Sequence, residues 1–290
     1  MTTLTAAPAL ATEQAPPPGK PARSRRARTG ERLGVTSGLG LGTAVIWLSL
    51  LVLLPLAAIV GNGFGGGWSG FYDAVTTSEA LHALIFTVEA SLFVAVVNAV
   101  MGTLLAWILV RDSFRGRGLV DRIIDVPFAL PTIVAGVVLL SVYGKNSPVG
   151  VSLIGTQRAV VLALLFVTLP FVVRSVQPVL LGLDLEAEQA AACLGAKPLV
   201  VFRRIVLPVL LPAIASGSAL AFARAIGEYG SVQLISGGLE RTEVSSTYAA
   251  QQIANYNFHA AAATATVLLA VSLVVILGLD VLQRWAARRG

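Results

Sequence analysis

Charge is scarce in this chain. Of its 290 residues only 12% are Asp, Glu, Lys or Arg, while 56% are hydrophobic, proportions outside the range of a soluble globular domain. Cysteine occurs once, as Cys193, which excludes an internal disulfide and fits a reduced compartment. The two histidines, His82 and His259, lie in separate outer regions without clustered acids, which argues against a membrane-bound enzyme with several catalytic groups facing one cavity. Neither a G-x-x-x-x-G-K-[ST] phosphate loop nor an H-E-x-x-H pattern is present. Any ATP the protein uses must be bound by another chain, and neither cofactor nor metal is expected. One stretch, Gly61-Asn62-Gly63-Phe64-Gly65-Gly66, matches the dinucleotide pattern G-x-G-x-x-G. It follows no strand pattern and opens no helical one, so the match is coincidental.

Long apolar runs are what the chain has instead. A bilayer core takes ~20 mainly apolar residues per helix, and six segments approach or exceed that: 39–60, 81–110, 126–143, 159–180, 209–228 and 260–281. The fold class expected is an all-α polytopic membrane protein with six transmembrane helices. Of 21 Lys and Arg, 17 fall before the first span, between spans two and three, from Arg174 near the end of span four to Arg204, or after the last span. Only Lys145, Arg158, Arg224 and Arg241 occupy the alternate side. Positive residues stay cytoplasmic, so both termini and the 184–208 loop are expected inside. These cations flank spans and lack interleaved aromatics, so they signal topology beside anionic lipid rather than nucleic-acid binding.

Residues 1–38 form a basic, Pro- and Ala-rich stretch without apolar periodicity, expected to be a disordered cytoplasmic tail before an uncleaved first span. Residues 39–283 make the transmembrane domain, and 284–290 a short cytoplasmic tail. Span three opens on Asp125-Val126-Pro127-Phe128-Ala129-Leu130-Pro131-Thr132, where Pro127 and Pro131 remove two backbone donors and predict a bent or interrupted helix. Such a bend either lines a pathway or is a structural kink. Pro170 and Pro212 repeat the pattern in spans four and five. Glu89, in span two with Asn98 and Gly102 further along, invites a proton-relay reading or a snorkelling one. Asp280 and Arg284 are spaced as an i,i+4 anchor.

A polar island interrupts the apolar chain at 184–208. Asp184 is placed to cap a helix over Glu186–Leu194, Gly195 to supply a left-handed stop, and Pro198 to open a second short helix ending at Pro208. Ala190, Ala191 and Ala192 leave one face nearly bare, open to close approach by another protein, or the loop simply lies on the membrane.

The pattern Ala190-Ala191-x-x-x-Gly195, nine residues, then Ile205-x-Leu207-Pro208 resembles the E-A-A-x-x-x-G-x9-I-x-L-P signature of ABC importer permeases. The resemblance implies the type I importer permease fold and a coupling helix seated on a cytoplasmic ATPase. The family's glutamate falls on Gln189, with Glu186 and Glu188 beside it. Three stretches, 125–132, Leu169-Pro170-Phe171-Val172-Val173-Arg174-Ser175-Val176-Gln177-Pro178-Val179-Leu180 and Ala221-Phe222-Ala223-Arg224-Ala225-Ile226-Gly227-Glu228-Tyr229-Gly230-Ser231-Val232, together with Leu282-Gln283-Arg284-Trp285, are similar to the T-type sulfate/thiosulfate permeases. Molybdate permeases share the Ala-Arg-Ala-x-Gly-Glu portion. The implied partners are a homologous second permease in a heterodimer, two ATP-binding subunits, an extracytoplasmic sulfate-binding protein and the bilayer, in a bacterial cell membrane.

An oxyanion suits the residues. Arg224 lies ~24 Å along a helix from Pro208, toward the outer end of span five, with Glu228 at i+4. It either guides a doubly charged anion or forms a structural ion pair with Glu228. Arg174 either attracts anions or marks the membrane boundary. The rival from another class, an ion-coupled secondary anion transporter, would need an intramembrane acid relay and inverted repeats. Only Glu89 qualifies for the first, and no repeat is evident.

Overall fold

The computed structural model describes residues 35–287, with side chains described for 39–281. Its helices, in chain order, are α1 (Val35–Leu48), α2 (Leu54–Gly63), α3 (Gly67–Thr76), α4 (Ser78–Arg111), α5 (Arg117–Ile124), α6 (Val126–Ala129), α7 (Thr132–Tyr143), α8 (Gln157–Leu181), α9 (Leu185–Cys193), α10 (Pro198–Val201), α11 (Leu207–Ile226), α12 (Gly230–Ile235), α13 (Ser245–Ala254) and α14 (Phe258–Ala287). No strand occurs among the described residues. The N-terminal unit ends at Leu50 and holds α1, which begins at Val35, inside the stretch expected to be a disordered tail. The rest of that expected tail, 1–34, lies outside the described residues. At the other end α14 continues to Ala287 through the predicted boundary at 283. The side chains of Leu282, Gln283, Arg284 and Trp285 lie outside the described ones.

Five helical stretches are long and apolar enough to cross a membrane: Leu39–Gly63, Ser78–Arg111, Gln157–Leu181, Pro198–Ile226 and Phe258–Val281. The sixth expected span, over 126–143, is interrupted near its prolines as predicted: the chain gives Arg117–Ala129 and Thr132–Tyr143, bent by 118° at the break. Pro127 occupies the first turn of α6, where a missing N–H costs nothing. Pro131 does the breaking: Leu130 before it is extended (φ −85°, ψ 132°), as a pre-proline residue prefers. Pro170 and Pro178 lie inside α8 and Pro212 inside α11, and those helices continue through them.

In the second unit, α4, α8 and α11 pack together as the core, with α14 against α11 and α2. Small residues bring these backbones close. Val172 of α8 is fully buried between Gly102 of α4 and Gly217 of α11. A Cβ on Gly102 would lie 2.8 Å from the Val172 Cβ, and one on Gly217 would lie 2.8 Å from the Val172 Cα. Without a water-driven force inside lipid, such close backbone contact is a main source of helix association. A buried hydrogen bond adds to it, from Asn98 Nδ2 of α4 to Thr168 Oγ1 of α8 at 2.8 Å. The opposite face of α4 exposes Ile85, Leu92, Phe93, Val96 and Val100, the apolar surface a bilayer or a partner covers. Glu89 lies on this exposed face.

Candidate functional site

The loop 184–208 follows the local chemistry of its residues. Asp184 accepts a hydrogen bond from the Glu186 amide at 2.9 Å and so caps α9. At the other end Gly195 takes φ +81°, a conformation that favours glycine. The Ala196 amide then reaches the Ala191 carbonyl at 3.1 Å and the Gly195 amide the Ala192 carbonyl at 2.9 Å, the paired bonds of a Schellman stop. Pro198 opens α10.

Beyond α10 the structure departs from the expected second stop. A π-helical turn, Phe202–Val206, carries the chain without a break into α11, the Leu207 amide bonding to the Phe202 carbonyl five residues back. Pro208 supplies the reason, since it lacks the N–H for a bond to residue 204 and its ring crowds that carbonyl. The second loop helix and the fifth span are therefore one helical element.

Alanines 190 and 192 are exposed, as are Gln189, Glu186 and Gly195. Leu194 is 89% and Leu199 68% exposed, so an apolar ridge flanks the bare face. Ile205, Leu207 and Pro208 belong to the π turn and the start of α11. Glu188 turns the other way: it pairs with Arg111, the last residue of α4, and both side chains are 18% exposed. The Arg111 guanidinium lies 5.2 Å from the centre of the Trp107 ring, and Trp107 meets Phe202 edge-on at 5.4 Å. Beneath α9 a groove of about 340 Å³ is lined by Trp107, Leu185, Gln189, Pro198 and Phe202 among others.

Arg174 sits in α8 toward the same end. Its Nε and Nη2 donate to the Asp125 oxygens at 2.7 and 2.6 Å. Nη1 donates to Asp121 Oδ1 at 2.8 Å and to Gln177 Oε1 at 2.5 Å, while Nη2 also reaches the Asp121 carbonyl at 2.7 Å. A guanidinium has five N–H donors, and here all are engaged within the chain.

The far ends of α8 and α11 hold the other candidates. Arg224 Nη1 lies 2.5 Å from Glu228 Oε2, an ionic contact rather than an aligned hydrogen bond. Glu228 is 1% exposed. Its other oxygen accepts the Ser231 amide at 3.0 Å and the Ser231 hydroxyl at 2.9 Å. Its carbonyl takes a bond from the Ser246 hydroxyl. In contrast to Arg174, Arg224 makes no other side-chain hydrogen bond among the described residues. The turn after Glu228 is tight because Gly230 lies against Thr132: a Cβ there would meet Thr132 Oγ1 at 2.3 Å. The proline-broken segment and the Gly-Glu-Tyr-Gly-Ser segment are thus packed on one another, α7 against α12.

Beside this turn opens a polar cavity of about 730 Å³ lined by Glu79, Tyr229, Gln233, Glu240, Glu243 and Tyr248 among others. Burial, then the charges of Glu240 and Glu79, push the Glu243 carboxyl above the ordinary glutamate range.

Sequence reasoning brought the loop residues 186–208 to one place and paired Arg224 with Glu228. It missed Arg111 and Trp107, although their i,i+4 spacing at the end of an apolar run was a usable signal. Asp121 and Asp125, the partners of Arg174, lie 53 and 49 residues away, beyond any local pattern.

Residues 98–289 match the family described as binding-protein-dependent transport system inner membrane component. The chain is 40% identical to the sulfate transport system permease protein CysT of Salmonella typhimurium over 87% of its length and 94% of that protein. To the protein of the same name from Synechocystis it is 40% identical, covering 84% of this chain and 88% of the other. A bacterial ABC transporter involved in importing the acidic polysaccharide alginate has the same fold, with a TM-score of 0.72 at 17% identity over 85% of this chain and 94% of that one. Family match, relatives and fold agree: the chain is a multi-span membrane protein of the binding-protein-dependent transport system inner membrane components, in the family of the sulfate transport system permease proteins.

Proposed function

We propose that the chain is the transmembrane permease subunit of an ATP-driven importer of sulfate and thiosulfate. It forms the translocation pathway with a homologous second permease in a bacterial inner membrane, both termini and the 184–208 loop on the cytoplasmic side. Two ATP-binding subunits drive it from inside, and an extracytoplasmic sulfate-binding protein loads it from outside.

The α9–α10 loop carries this reading. Its first helix is closed by a Schellman stop, Ala190 and Ala192 are exposed and Ala191 is half-buried, and its second half is continuous with a membrane-spanning helix. A push on α10 is therefore a push on α11. Nucleotide at the loop end and a loaded binding protein at the far end would bias one two-state element, each through its differential contacts with the two states. The chain makes and breaks no covalent bond.

Anion handling falls to Arg224 rather than Arg174. Arg174 has every donor engaged by its own chain, whereas Arg224 is anchored through one nitrogen by a buried carboxylate and is 31% exposed. A charge at the end of a span is retained where it meets protein, water or a passing ion. Pro127 opens α6, and Pro131 serves as the break that lets α7 pack on the Glu228 turn.

Radiolabelled sulfate uptake in a strain lacking this chain tests the proposal. Uptake is expected only when the chain is restored, with thiosulfate competing and molybdate competing weakly. Uptake unaffected by the chain, or blocked by molybdate ahead of thiosulfate, would assign a different substrate.

A further inference from the structure

Helix α9 has no buried residue, so burial alone does not hold it in place. Among the described residues the one polar link between its side chains and a membrane-spanning helix is Glu188 to Arg111. Arg111 stands at the C-terminus of α4, where a cation also meets the helix dipole. Trp107, one turn earlier, lies beneath the guanidinium and is itself braced by Phe202 of the π turn. Charge pair, ring and π turn thus join α9, α4 and the start of α11 at one point. A fully solvated pair of this kind contributes little, about 0 to 1 kcal/mol. Here both partners are largely covered, and swinging the guanidinium out to water would give up its contact with the Trp107 ring.

From that point α4 runs 34 residues without a proline, ~51 Å at ~1.5 Å per residue. Its other end places Glu79 in the wall of the 730 Å³ cavity. The helix lacks proline, a main cause of sharp helix kinks.

We propose that Arg111 is the positioning residue that fixes α9 on the end of α4 and passes displacement of α9 along α4 to the far end of the protein. The inference rests on the reading of α9 as the contact for the ATP-binding subunit. It adds a second route to the one through α10 and α11, made of side chains rather than of continuous backbone.

Cys193, the chain's single cysteine, is exposed on the last turn of α9 and gives a direct readout. A nitroxide label is attached there in the full-length chain, assembled with partner subunits made cysteine-free. Arg111→Ala is expected to sharpen the label's spectrum, reporting a freer α9. It should also lower the stimulation of ATP hydrolysis by loaded binding protein about fivefold or more, with the ATP-binding subunit still co-purifying. Exchanging the charges, Arg111→Glu with Glu188→Arg, should return part of both signals. An unchanged spectrum in Arg111→Ala overturns the positioning role. A sharpened spectrum with full stimulation overturns the transmission. The docking reading is tested apart from these by Ala190→Trp: if the ATP-binding subunit co-purifies and is stimulated as before, α9 is not its contact, whatever the label shows.

Discussion

Arg174 grips Asp125 with two parallel hydrogen bonds, Nε to Oδ1 at 2.7 Å and Nη2 to Oδ2 at 2.6 Å, across 49 residues of sequence. The same guanidinium holds Asp121, so one side chain of α8 fixes the whole α5 segment before the proline break. Arg174→Ala leaves two carboxylates facing each other without their donor. Loss of charge-assisted bonds of this kind costs about 2 kcal/mol. A fall in the melting temperature of the purified transporter is expected, with a smaller loss for Arg174→Lys, which keeps the charge and not the fork. An unchanged melting temperature would remove Arg174 from the structural frame.

Gly217 faces a backbone atom rather than a pliable side chain, since its added Cβ would lie 2.8 Å from the Val172 Cα. Gly217→Ala must separate α11 from α8, and overpacking typically costs about 1 to 3 kcal/mol. Gly118 in α5 has nothing within 4 Å, so Gly118→Ala is expected to be neutral or stabilising by up to about 1 kcal/mol. Thermal unfolding of the two variants side by side checks the contrast.

Glu228 is the buried partner of Arg224. Glu228→Ala orphans the Ser231 amide and hydroxyl and leaves the part-exposed Arg224 without its partner, a loss of about 1 to 3 kcal/mol. Arg224→Ala leaves the buried Glu228 carboxylate without its counter-charge and should lower sulfate uptake. Normal uptake by a stably inserted Arg224→Ala protein would make the residue dispensable to the pathway.

Glu243, in the far-end segment before α13, has its carboxyl pushed up by burial first and by Glu240 and Glu79 next. With the folded value above the unfolded one, the protonated form favours the folded state. That contribution is complete below the ordinary glutamate value of 4.5 and is lost as pH rises through the elevated folded value. Hydrogen exchange in 240–254 is expected to quicken across that interval, and Glu243→Gln should abolish the change. Exchange that slows with rising pH after correction for intrinsic rates would contradict the assignment.

What was legible in the sequence was mostly local. Asp184, Gly195 and Pro198 announce their helix ends through chemistry complete within a few residues, and the structure places each accordingly. The break near Pro131 was expected, but not which proline would cause it, because that depends on whether each falls in a first turn. Pro208 was read as a stop because the alternative, a π turn that absorbs the lost bond, leaves no mark on the pattern. The pair Arg224 and Glu228 was visible as i,i+4 spacing, and its burial was not. Arg111 escaped notice because the positive-inside rule already accounted for it as a boundary charge. A residue that satisfies one simple rule hides any second role it has.

The contacts at Val172 constrain how such a protein can move. Gly102 and Gly217 bring the backbones of α4 and α11 directly against Val172 of α8, so a displacement of one of these helices is passed by contact to the others. The deformation of an access cycle is then expected at the margins of these three helices: the 118° corner before α7, the π turn before α11, and the surfaces that meet other chains.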